Sequence, residues 1–401
     1  MRIGIDCRTI LHPEKGEGAG PAHYTYQLVR HLLKIDKKNT YFLFFDRSVQ
    51  KRRLNKFKQK NVLIRFFPFL QYKNLMPESL SRLLVNATLD KEKLDIFHLL
   101  DISLSLSYKG PSIITVHDLA FYKFPELIFP EKSYLLKTIV PNILKEAKKV
   151  IAVSKSTAKD LQEIFNLDKK KIEIIYHGID QRFFKKRTLS EIRKIKKKYK
   201  IQKDYLFFLG TLESRKNIMR IIEAYERFRD QLIQPLSEKG SKIKISKNIF
   251  SKYQLVLAGA KGYDFKKIKA KIVASDYKND IILPGYVEAD DLGILFSGAS
   301  LFVFPSLYEG FGLPILEAMA KGVPIISSNI SSIPEITQNA AILVDPYNVA
   351  QIAQAIYTLL KDKNLQKKLI NKGQTRVKNF TWEKCARKTL KTYKSLVLPK
   401  S

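Results

Sequence analysis

Residues 308–319 read YEGFGLPILEAM, a glycine-rich loop that runs directly into an apolar helical pattern. Gly310 and Gly312 flank a phenylalanine, and glycines allow a ligand to approach the backbone closely. Pro314 suits the first turn of a helix, where its missing N–H is not needed. The segment therefore predicts a loop with free backbone N–H groups beside the positive end of a helix, which is a place that suits phosphate.

Two carboxylates accompany this helix start. Glu309 precedes the loop, and Glu317 follows eight positions later, about one turn inside the predicted helix. Carboxylates accept hydrogen bonds from sugar and ribose hydroxyls. Together with the phosphate-binding features, the pair favours a nucleotide sugar as ligand, although glutamates at such positions are also common on solvated helix faces.

Short β-branched runs alternate with helical patterns on both sides of this segment. Several of the runs are nearly all apolar, as in strands covered on both faces, and the alternation predicts parallel sheets in an α/β fold. Strands are predicted at 3–7, 41–45, 62–66, 113–117, 150–153, 172–176, 206–209, 255–258, 281–283, 301–304, 324–327 and 341–344. Helices are predicted at 24–33, 134–147, 157–165, 218–228, 291–296, 315–321, 349–360 and 381–398.

The pattern predicts two doubly wound domains of similar size. Residues 178–203 break the apolar pattern and are expected to form the joint, and residues 234–251 resemble a surface insertion. We expect an amino-terminal domain at 1–180, a second domain at 181–380 and a final helix at 381–401 that packs on the first domain. Two such domains would face each other across a central cleft, where ligands bind at the carboxyl ends of the strands.

Composition excludes several classes of protein. The 401 residues contain only two cysteines, Cys7 and Cys385, which is too few for a disulfide framework and lacks metal-site spacing. No apolar run is long enough for a membrane span, and the first residues resemble a strand rather than a signal peptide. Neither a P-loop nor a Ser-His-Asp order is present. We expect a cytoplasmic protein without a metal or cofactor.

The charge is strongly positive. Lys and Arg number 72 against 38 Asp and Glu, a formal net charge of +34, concentrated at 51–60 and 185–200. Such a surface attracts polyanions or an anionic membrane, and Phe66 opens an aromatic run at 66–70 beside the first basic stretch. Compositional drift toward lysine explains the charge equally well. No nucleic-acid-binding signature accompanies it, so no specific nucleic acid is expected.

A basic pair marks a second candidate anion site. Arg215 and Lys216 follow Gly210 at the end of a predicted strand, directly before a helix. The helix dipole disfavours basic residues there unless an anion is near. Charge-assisted hydrogen bonds from this pair would hold a diphosphate and would strengthen as its charge grows during departure.

Two further places are candidates in the first domain. Gly16, Gly18 and Gly20 form a loop after the first strand; their spacing is not GxGxxG, so we expect a flexible substrate loop or a plain loop rather than a dinucleotide site. His117 ends a strand beside Asp118 and is a candidate for a sugar hydroxyl. His177 lies near the joint, and no role is assigned to the four other histidines, His12, His23, His31 and His98.

These residues resemble retaining glycosyltransferases of family 4, which have the GT-B fold. The resemblance spans nearly the whole chain, and its first half is similar to the mannosyltransferase-like branch, through 115–118 and 16–26. The resemblance is carried by 176–180, 209–217, 258–259, 283–287, 309–320, 322–329, 333–335, 343–346 and 380–382.

The resemblance implies a role for each candidate. Lys216 and Arg215 would hold the diphosphate in place of a metal, and His117 would contact the donor sugar from the acceptor-binding first domain. Glu317 would grip the ribose and Glu309 the sugar. The remaining donor-binding residues would be Gly310, Phe311, Gly312, Leu313, Gly210, Gly259 and Val287.

Two positions depart from the family pattern. Many relatives carry a basic residue where this chain has Thr211, so either Arg215 compensates or Lys216 holds the diphosphate alone. Relatives often have a small residue or cysteine at Lys321, which should lie outside the chemistry.

The expected reaction is retaining transfer of a hexose from a nucleotide sugar to a saccharide or lipid-linked acceptor in the synthesis of cell-envelope polysaccharide or glycolipid. GDP-mannose is favoured over UDP-sugars, and the enzyme is expected to be peripheral on the inner face of the cell membrane. A nucleotide-sugar epimerase of the same fold and a non-catalytic polyanion-binding protein are the alternatives.

Overall fold

The computed structural model describes residues 1–12, 20–67, 78–102, 108–127, 130–230 and 248–397. The chain forms two compact units. One contains Met1–Pro125, Phe129–Gly178 and Phe380–Ser401, and the other contains Ile179–Asn379 with Glu126–Ile128. The chain therefore leaves the first unit after Gly178 and re-enters it at Phe380. The boundaries expected from the sequence, at 180 and 380, lie within two residues of these points.

The first unit is built on a seven-stranded parallel sheet. Its strands are β1 (Arg2–Asp6), β2 (Thr40–Phe45), β3 (Val62–Phe66), β4 (Ile96–Leu99), β5 (Ser112–Val116), β6 (Lys149–Ala152) and β7 (Ile172–Ile174). The strand order is β3-β2-β1-β4-β5-β6-β7, so the chain order reverses between β1 and β4. Strands β1, β2, β4, β5 and β6 bury nearly all of their side chains, which is typical of a parallel sheet covered on both faces, whereas the edge strands β3 and β7 are partly exposed.

The helices of the first unit include the last helix of the chain. They are α1 (Gly20–Ile35), α2 (Glu78–Asp90), α3 (Ala120–Lys123), α4 (Pro130–Glu146), α5 (Lys155–Phe165) and α15 (Trp382–Val397). Helix α15 packs along α1, and its Trp382, Cys385 and Tyr393 belong to the same core as β1. The prediction that the final helix packs on the first domain agrees with this contact.

The second unit has a six-stranded parallel sheet. Its strands are β8 (Asp204–Leu209), β9 (Tyr253–Ala258), β10 (Ile281–Gly285), β11 (Leu301–Phe304), β12 (Ile325–Ser328) and β13 (Ile342–Val344), in the order β10-β9-β8-β11-β12-β13. Its helices are α6 (Leu189–Lys198), α7 (Ile218–Arg229), α8 (Asn248–Ser251), α9 (Phe265–Ala274), α10 (Ala289–Gly298), α11 (Leu313–Lys321), α12 (Ile333–Thr337), α13 (Val349–Lys361) and α14 (Lys363–Val377).

Some elements escaped the sequence prediction. Helix α6 lies within the stretch that we expected to be an irregular joint. The apolar pattern does not indicate a helix there, because only Ile192 and Ile195 form an apolar face among many lysines. A capping box between Thr188 and Glu191 fixes its start. The sequence prediction also missed strand β4 and helices α2, α3, α9, α12 and α14. The predicted strand at 324–327 begins one residue later, since a proline has no N–H to donate to the sheet.

Two expectations fall on parts of the chain that are not described. Gly16 and Gly18 lie outside the described residues, as does most of the predicted insertion at 234–251, of which only α8 is seen. Within the described chain, no helix combines the length and the apolar character needed to cross a membrane. Cys7 and Cys385 are buried free thiols.

Candidate active site

The candidate site of the second unit lies where the chain order of its sheet reverses. Strands β8 and β11 are neighbours in the middle of the sheet, and the chain winds outward from them in opposite directions. In doubly wound sheets the ligand crevice forms at the carboxyl ends of such strands. Here β8 leads into Gly210–Lys216 and β11 leads into Pro305–Gly312, the two segments selected from the sequence.

Two glycines let the loops after β8 and β9 lie in contact. A Cβ atom added to Gly259, whose φ is 145°, would stand 1.8 Å from the carbonyl oxygen of Gly210. The Gly210 N–H donates to Ala258 O at 3.0 Å, and the Gly259 N–H donates to Gly285 O at 2.9 Å. The two glycines therefore allow close contact between the loop that carries Arg215 and Lys216 and the loop after β9.

Lys216 and Glu309 meet across these loops. The Lys216 ammonium donates to Glu309 Oε1 at 2.5 Å, and both side chains are nearly buried, with 11% and 8% exposed. Lys216 Nζ also lies 5.4 Å from the centre of the Phe304 ring. Burial lowers the pKa of Lys216, the Glu309 carboxylate opposes that shift and Arg215 adds to it. The anion that the helix start requires is, in this structure, Glu309.

Arg215 is largely committed to contacts within the unit. Its Nε and Nη2 donate to Glu213 Oε1 at 3.1 and 2.9 Å, and Nη1 donates to Tyr308 O at 2.9 Å. Its Nη1 lies 3.8 Å from Glu309 Oε2. The guanidinium thus ties the β8 loop to the β11 loop and contributes positive charge beside Lys216.

Three residues that hold this arrangement were not assigned roles from the sequence. Asn217 has a left-handed conformation and donates through Nδ2 to Pro305 O at 2.9 Å and Pro346 O at 2.7 Å. Ser331 accepts from the Glu309 N–H at 2.9 Å, and Ser332 donates to Glu309 O at 2.9 Å. The only available signal was their position after strands of a parallel sheet.

Helix α11 presents the second carboxylate. Gly312 precedes the helix with φ 92°, a conformation that favours glycine, and Pro314 occupies its first turn as predicted. Burial raises the pKa of Glu317 to about 7, against the opposing effect of Arg182. Its Oε2 is buried and has no hydrogen-bond partner within the described chain. A buried acceptor of this kind requires a donor, such as a ligand hydroxyl.

The remaining donor-binding candidates of the second unit are mostly buried. Phe311 and Val287 are buried, and Leu313 is half-buried at the first position of α11. Beside Val287, Tyr286 is 58% exposed and Gly285 has φ 76°. The structure brings Lys216, Arg215 and Glu309 into contact.

The first unit contains two of the described candidates, His117 and Gly20. His117 donates through Nε2–H to Leu100 O at 2.9 Å, and burial lowers its pKa while Asp101 opposes the shift. Its ring packs edge-on against Tyr24, 4.7 Å away. Gly20 is the first residue of α1 and has φ 63°. The sugar contact of His117 and the substrate role of Gly20 stay predictions.

Two other histidines support the first unit. His98 is fully buried in β4 and bonds Tyr393 at 2.6 Å and Thr115 at 2.9 Å, which joins the sheet to α15. Burial lowers its pKa to about 3, so the ring is neutral. His177 stacks on Trp382 at 5.8 Å.

Comparison with known proteins shows the family of this chain. A family model described as "Glycosyltransferase Family 4" matches residues 18–183, and one described as "Glycosyl transferases group 1" matches residues 191–376. The chain belongs to glycosyltransferase family 4. Both units therefore correspond to family domains, and the enzyme is a glycosyltransferase with the GT-B fold.

Relatives in this family include two curated mannosyltransferases of Escherichia coli. The chain is 29% identical over 286 residues to "O-antigen chain mannosyltransferase B", which covers 71% of this chain and 70% of that protein. It is 28% identical over 246 residues to a "Serotype-specific mannosyltransferase", covering 60% of this chain but only 28% of that much longer protein.

A solved glycosyltransferase from Rickettsia africae has the same fold. It superposes with a TM-score of 0.70 at 19% identity, and the match covers 100% of this chain and 99% of the other. At this identity the likeness supports the GT-B fold and carries no information on substrates.

Proposed function

We propose that this glycosyltransferase moves a hexose, with mannose favoured, from a nucleotide sugar to a saccharide or lipid-linked acceptor in polysaccharide synthesis. The observation that carries the proposal is the cluster of Lys216, Arg215 and Glu309 at the crevice position of the second sheet. Curated relatives named as mannosyltransferases of O-antigen chains support the choice of sugar, and hence of GDP-mannose over UDP-sugars.

In this proposal the nucleotide sugar is held at its diphosphate and at its ribose. The three N–H groups of the Lys216 ammonium allow it to bind a diphosphate oxygen while it keeps Glu309. Because Arg215 already bonds Glu213 and Tyr308, Lys216 supplies most of the direct contact, and the absence of a basic side chain at Thr211 leaves it as the main cation. The unpartnered Oε2 of Glu317 accepts from a ribose hydroxyl.

The chemistry that follows is transfer with retained anomeric configuration. The acceptor oxygen forms a bond to the anomeric carbon on the face that the diphosphate leaves, the bond from that carbon to the diphosphate oxygen breaks, and the acceptor proton passes to the departing diphosphate. Lys216 stabilises the charge that grows on the diphosphate. No divalent cation is required, because the basic pair supplies the positive charge.

The test is a transfer assay with purified protein. GDP-mannose, UDP-glucose and UDP-galactose are each offered with a panel of saccharide acceptors, and nucleoside diphosphate release and product are measured. We expect release of GDP with a new α-mannosyl linkage, seen by NMR, and unchanged rates in EDTA. A β-linked product contradicts retention, and loss of activity in EDTA contradicts the metal-free mechanism.

The same assay separates the alternatives. An epimerase converts the donor sugar in the absence of acceptor, and a polyanion-binding protein consumes no donor at all. Membership of the glycosyltransferase family favours transfer over both.

A further inference from the structure

A basic cavity lies at the carboxyl end of α11, the end opposite the proposed donor site. Its volume is about 470 Å³, which is within the usual range for small-molecule pockets. Five cationic side chains line it: Lys185, Lys186, Arg187, Lys321 and Lys378. Because α11 has nine residues, its two ends are roughly 13 Å apart. The cavity is therefore distinct from the crevice at Lys216.

The positive charge of this cavity is poorly balanced. None of the lining residues is acidic. Arg187 pairs with Glu191 at 3.0 Å, and Lys321 Nζ donates to Lys185 O at 2.5 Å. In the described parts of the chain, no carboxylate lies within ion-pair distance of Lys185, Lys186 or Lys378. Like charges held together in this way repel unless an anion joins them.

Two groups in the cavity are under-satisfied. Burial together with the nearby Arg187 and Lys185 lowers the pKa of Lys321 to about 8, although Glu191 opposes the shift. The Nε of Arg187 is buried and donates to no acceptor among the described residues. A bound anion would stabilise the ammonium of Lys321 and offer the missing acceptor.

An ordinary helix end does not account for the cluster. A lysine in the last turn of α11 is stabilised by about 0.3–1 kcal/mol through the helix dipole, and that explains Lys321. It does not explain why Lys185, Lys186 and Arg187, which precede α6, and Lys378, which follows α14, converge on the same cavity.

We propose that the cavity binds an organic phosphate, with the multiply charged phosphate group held by the five cations and an apolar portion lying against Phe184. Phe184 is 39% exposed on the cavity wall, beside Ile192 and Val377. Arg187 adds planar N–H donors that match phosphate oxygens. A nucleoside diphosphate and a short lipid diphosphate share this chemistry.

The experiment uses the full chain with Arg215→Ala and Lys216→Ala, so that the donor site no longer competes for diphosphates. ADP and geranyl diphosphate are titrated separately by calorimetry. We expect 1:1 binding of at least one of them, weakened tenfold or more by Lys185→Gln with Lys321→Gln. The ligand that binds more tightly identifies the source as nucleotide or lipid.

The matched control is Lys367→Gln with Lys368→Gln. This pair removes the same charge from an exposed part of α14 that does not line the cavity, and should change the Kd less than threefold. No saturable binding of either ligand, or an equal loss with both pairs, overturns the proposal.

A second measurement uses the unsubstituted protein. Lysine acylation followed by mass spectrometry should show that the tighter ligand protects Lys185 and Lys321 but not Lys367 and Lys368. Equal labelling with and without ligand overturns the site. Glycosyl transfer is measured alongside, and Lys185→Gln with Lys321→Gln should retain it, so failure of the cavity and failure of the proposed reaction are distinguishable.

Discussion

At the scale of single residues, Lys216 has the central role in the proposed reaction, because it stabilises the charge on the departing diphosphate. The guanidinium of Arg215 already bonds Glu213 and the backbone of Tyr308. The ammonium of Lys216 makes neither of these contacts and is buried beside Glu309. Positive charge that acts on the departing diphosphate stabilises the transition state more than the bound donor. The residue should therefore matter for turnover more than for affinity.

The first prediction is that Lys216→Ala lowers kcat by about 10²–10³-fold while donor Kd changes much less. Steady-state kinetics and calorimetric donor titration separate the two effects. Lys269→Ala, an exposed lysine of α9, is the matched control and should behave like the parent. Parental turnover in Lys216→Ala would rule out the leaving-group role.

Glu317 gives the second prediction, which concerns pH. Folding raises its pKa from the usual 4.5 to about 7, so the folded state binds more protons than the unfolded state between these values. The contribution of this group to the free energy of unfolding is therefore favourable below about pH 4.5 and falls as pH rises to about 7.

Glu317→Gln should remove that decline. Urea unfolding of the ligand-free protein at pH 5 and pH 7.5 measures it, and the variant should gain stability relative to the parent at the higher pH only. A constant difference between the two proteins at both values would show that burial does not raise the pKa of Glu317.

At the scale of the structural elements, the main constraint is the close approach of the loops that follow β8 and β9. Gly259 lets the loop after β9 touch Gly210, and the loop after β8 carries the basic pair. The resemblance marked both glycines as donor-binding. The structure adds a mechanical reason, because any side chain at Gly259 meets backbone rather than a flexible neighbour.

The third prediction is that Gly259→Ala destabilises the protein by about 2–6 kcal/mol, since it adds overpacking to backbone strain. Gly285→Ala is the control: its φ is also positive, at 76°, but no atom lies within 4 Å of the added Cβ. Strain alone should cost about 1–2 kcal/mol there. Equal midpoints in urea unfolding for the two variants would contradict the contact.

Elements with a continuous apolar pattern were predictable, and those with mixed patterns were not. Strands β2, β3 and β11 follow β-branched and aromatic runs and were located within a residue. Strand β4 includes His98, a polar residue in an apolar run, whose partners Thr115 and Tyr393 are 17 and 295 positions away in sequence. Helix α6 was hidden because its lysine-rich face outweighs two isoleucines.

At the scale of the whole molecule, charge is the dominant feature. The net charge of +34 exceeds what the proposed donor site needs. The basic stretch at 51–60 exposes Lys51 and Arg52 on a 3-10 turn, whereas Leu54 and Phe57 are buried. Phe67 is also buried, so the aromatic run proposed for membrane contact cannot insert through that side chain. The exposed Lys51 and Arg52 are available to an anionic surface.

The fourth prediction is that the protein co-sediments with phosphatidylglycerol vesicles at low salt, but neither with phosphatidylcholine vesicles nor in 0.5 M salt. Each cation near an anionic surface contributes about 1 kcal/mol. Lys51→Gln with Arg52→Gln should therefore weaken binding about tenfold or more, and Lys367→Gln with Lys368→Gln serves as control. Absence of co-sedimentation at low salt would remove membrane docking.

The sequence by itself determined the alternation of strands and helices, the two-domain division and the family, because these depend on local periodicity and on contiguous motifs. It also selected Lys216, Arg215, Glu309 and Glu317 as candidate site residues. The pairing of Lys216 with Glu309 was decided only by the tertiary structure, because 93 positions separate the partners and parallel strands bring their ends together. The tertiary structure also decided the unpartnered oxygen of Glu317 and the convergence of cations on the basic cavity at the carboxyl end of α11. Burial and charge balance depend on neighbours that are distant in the chain.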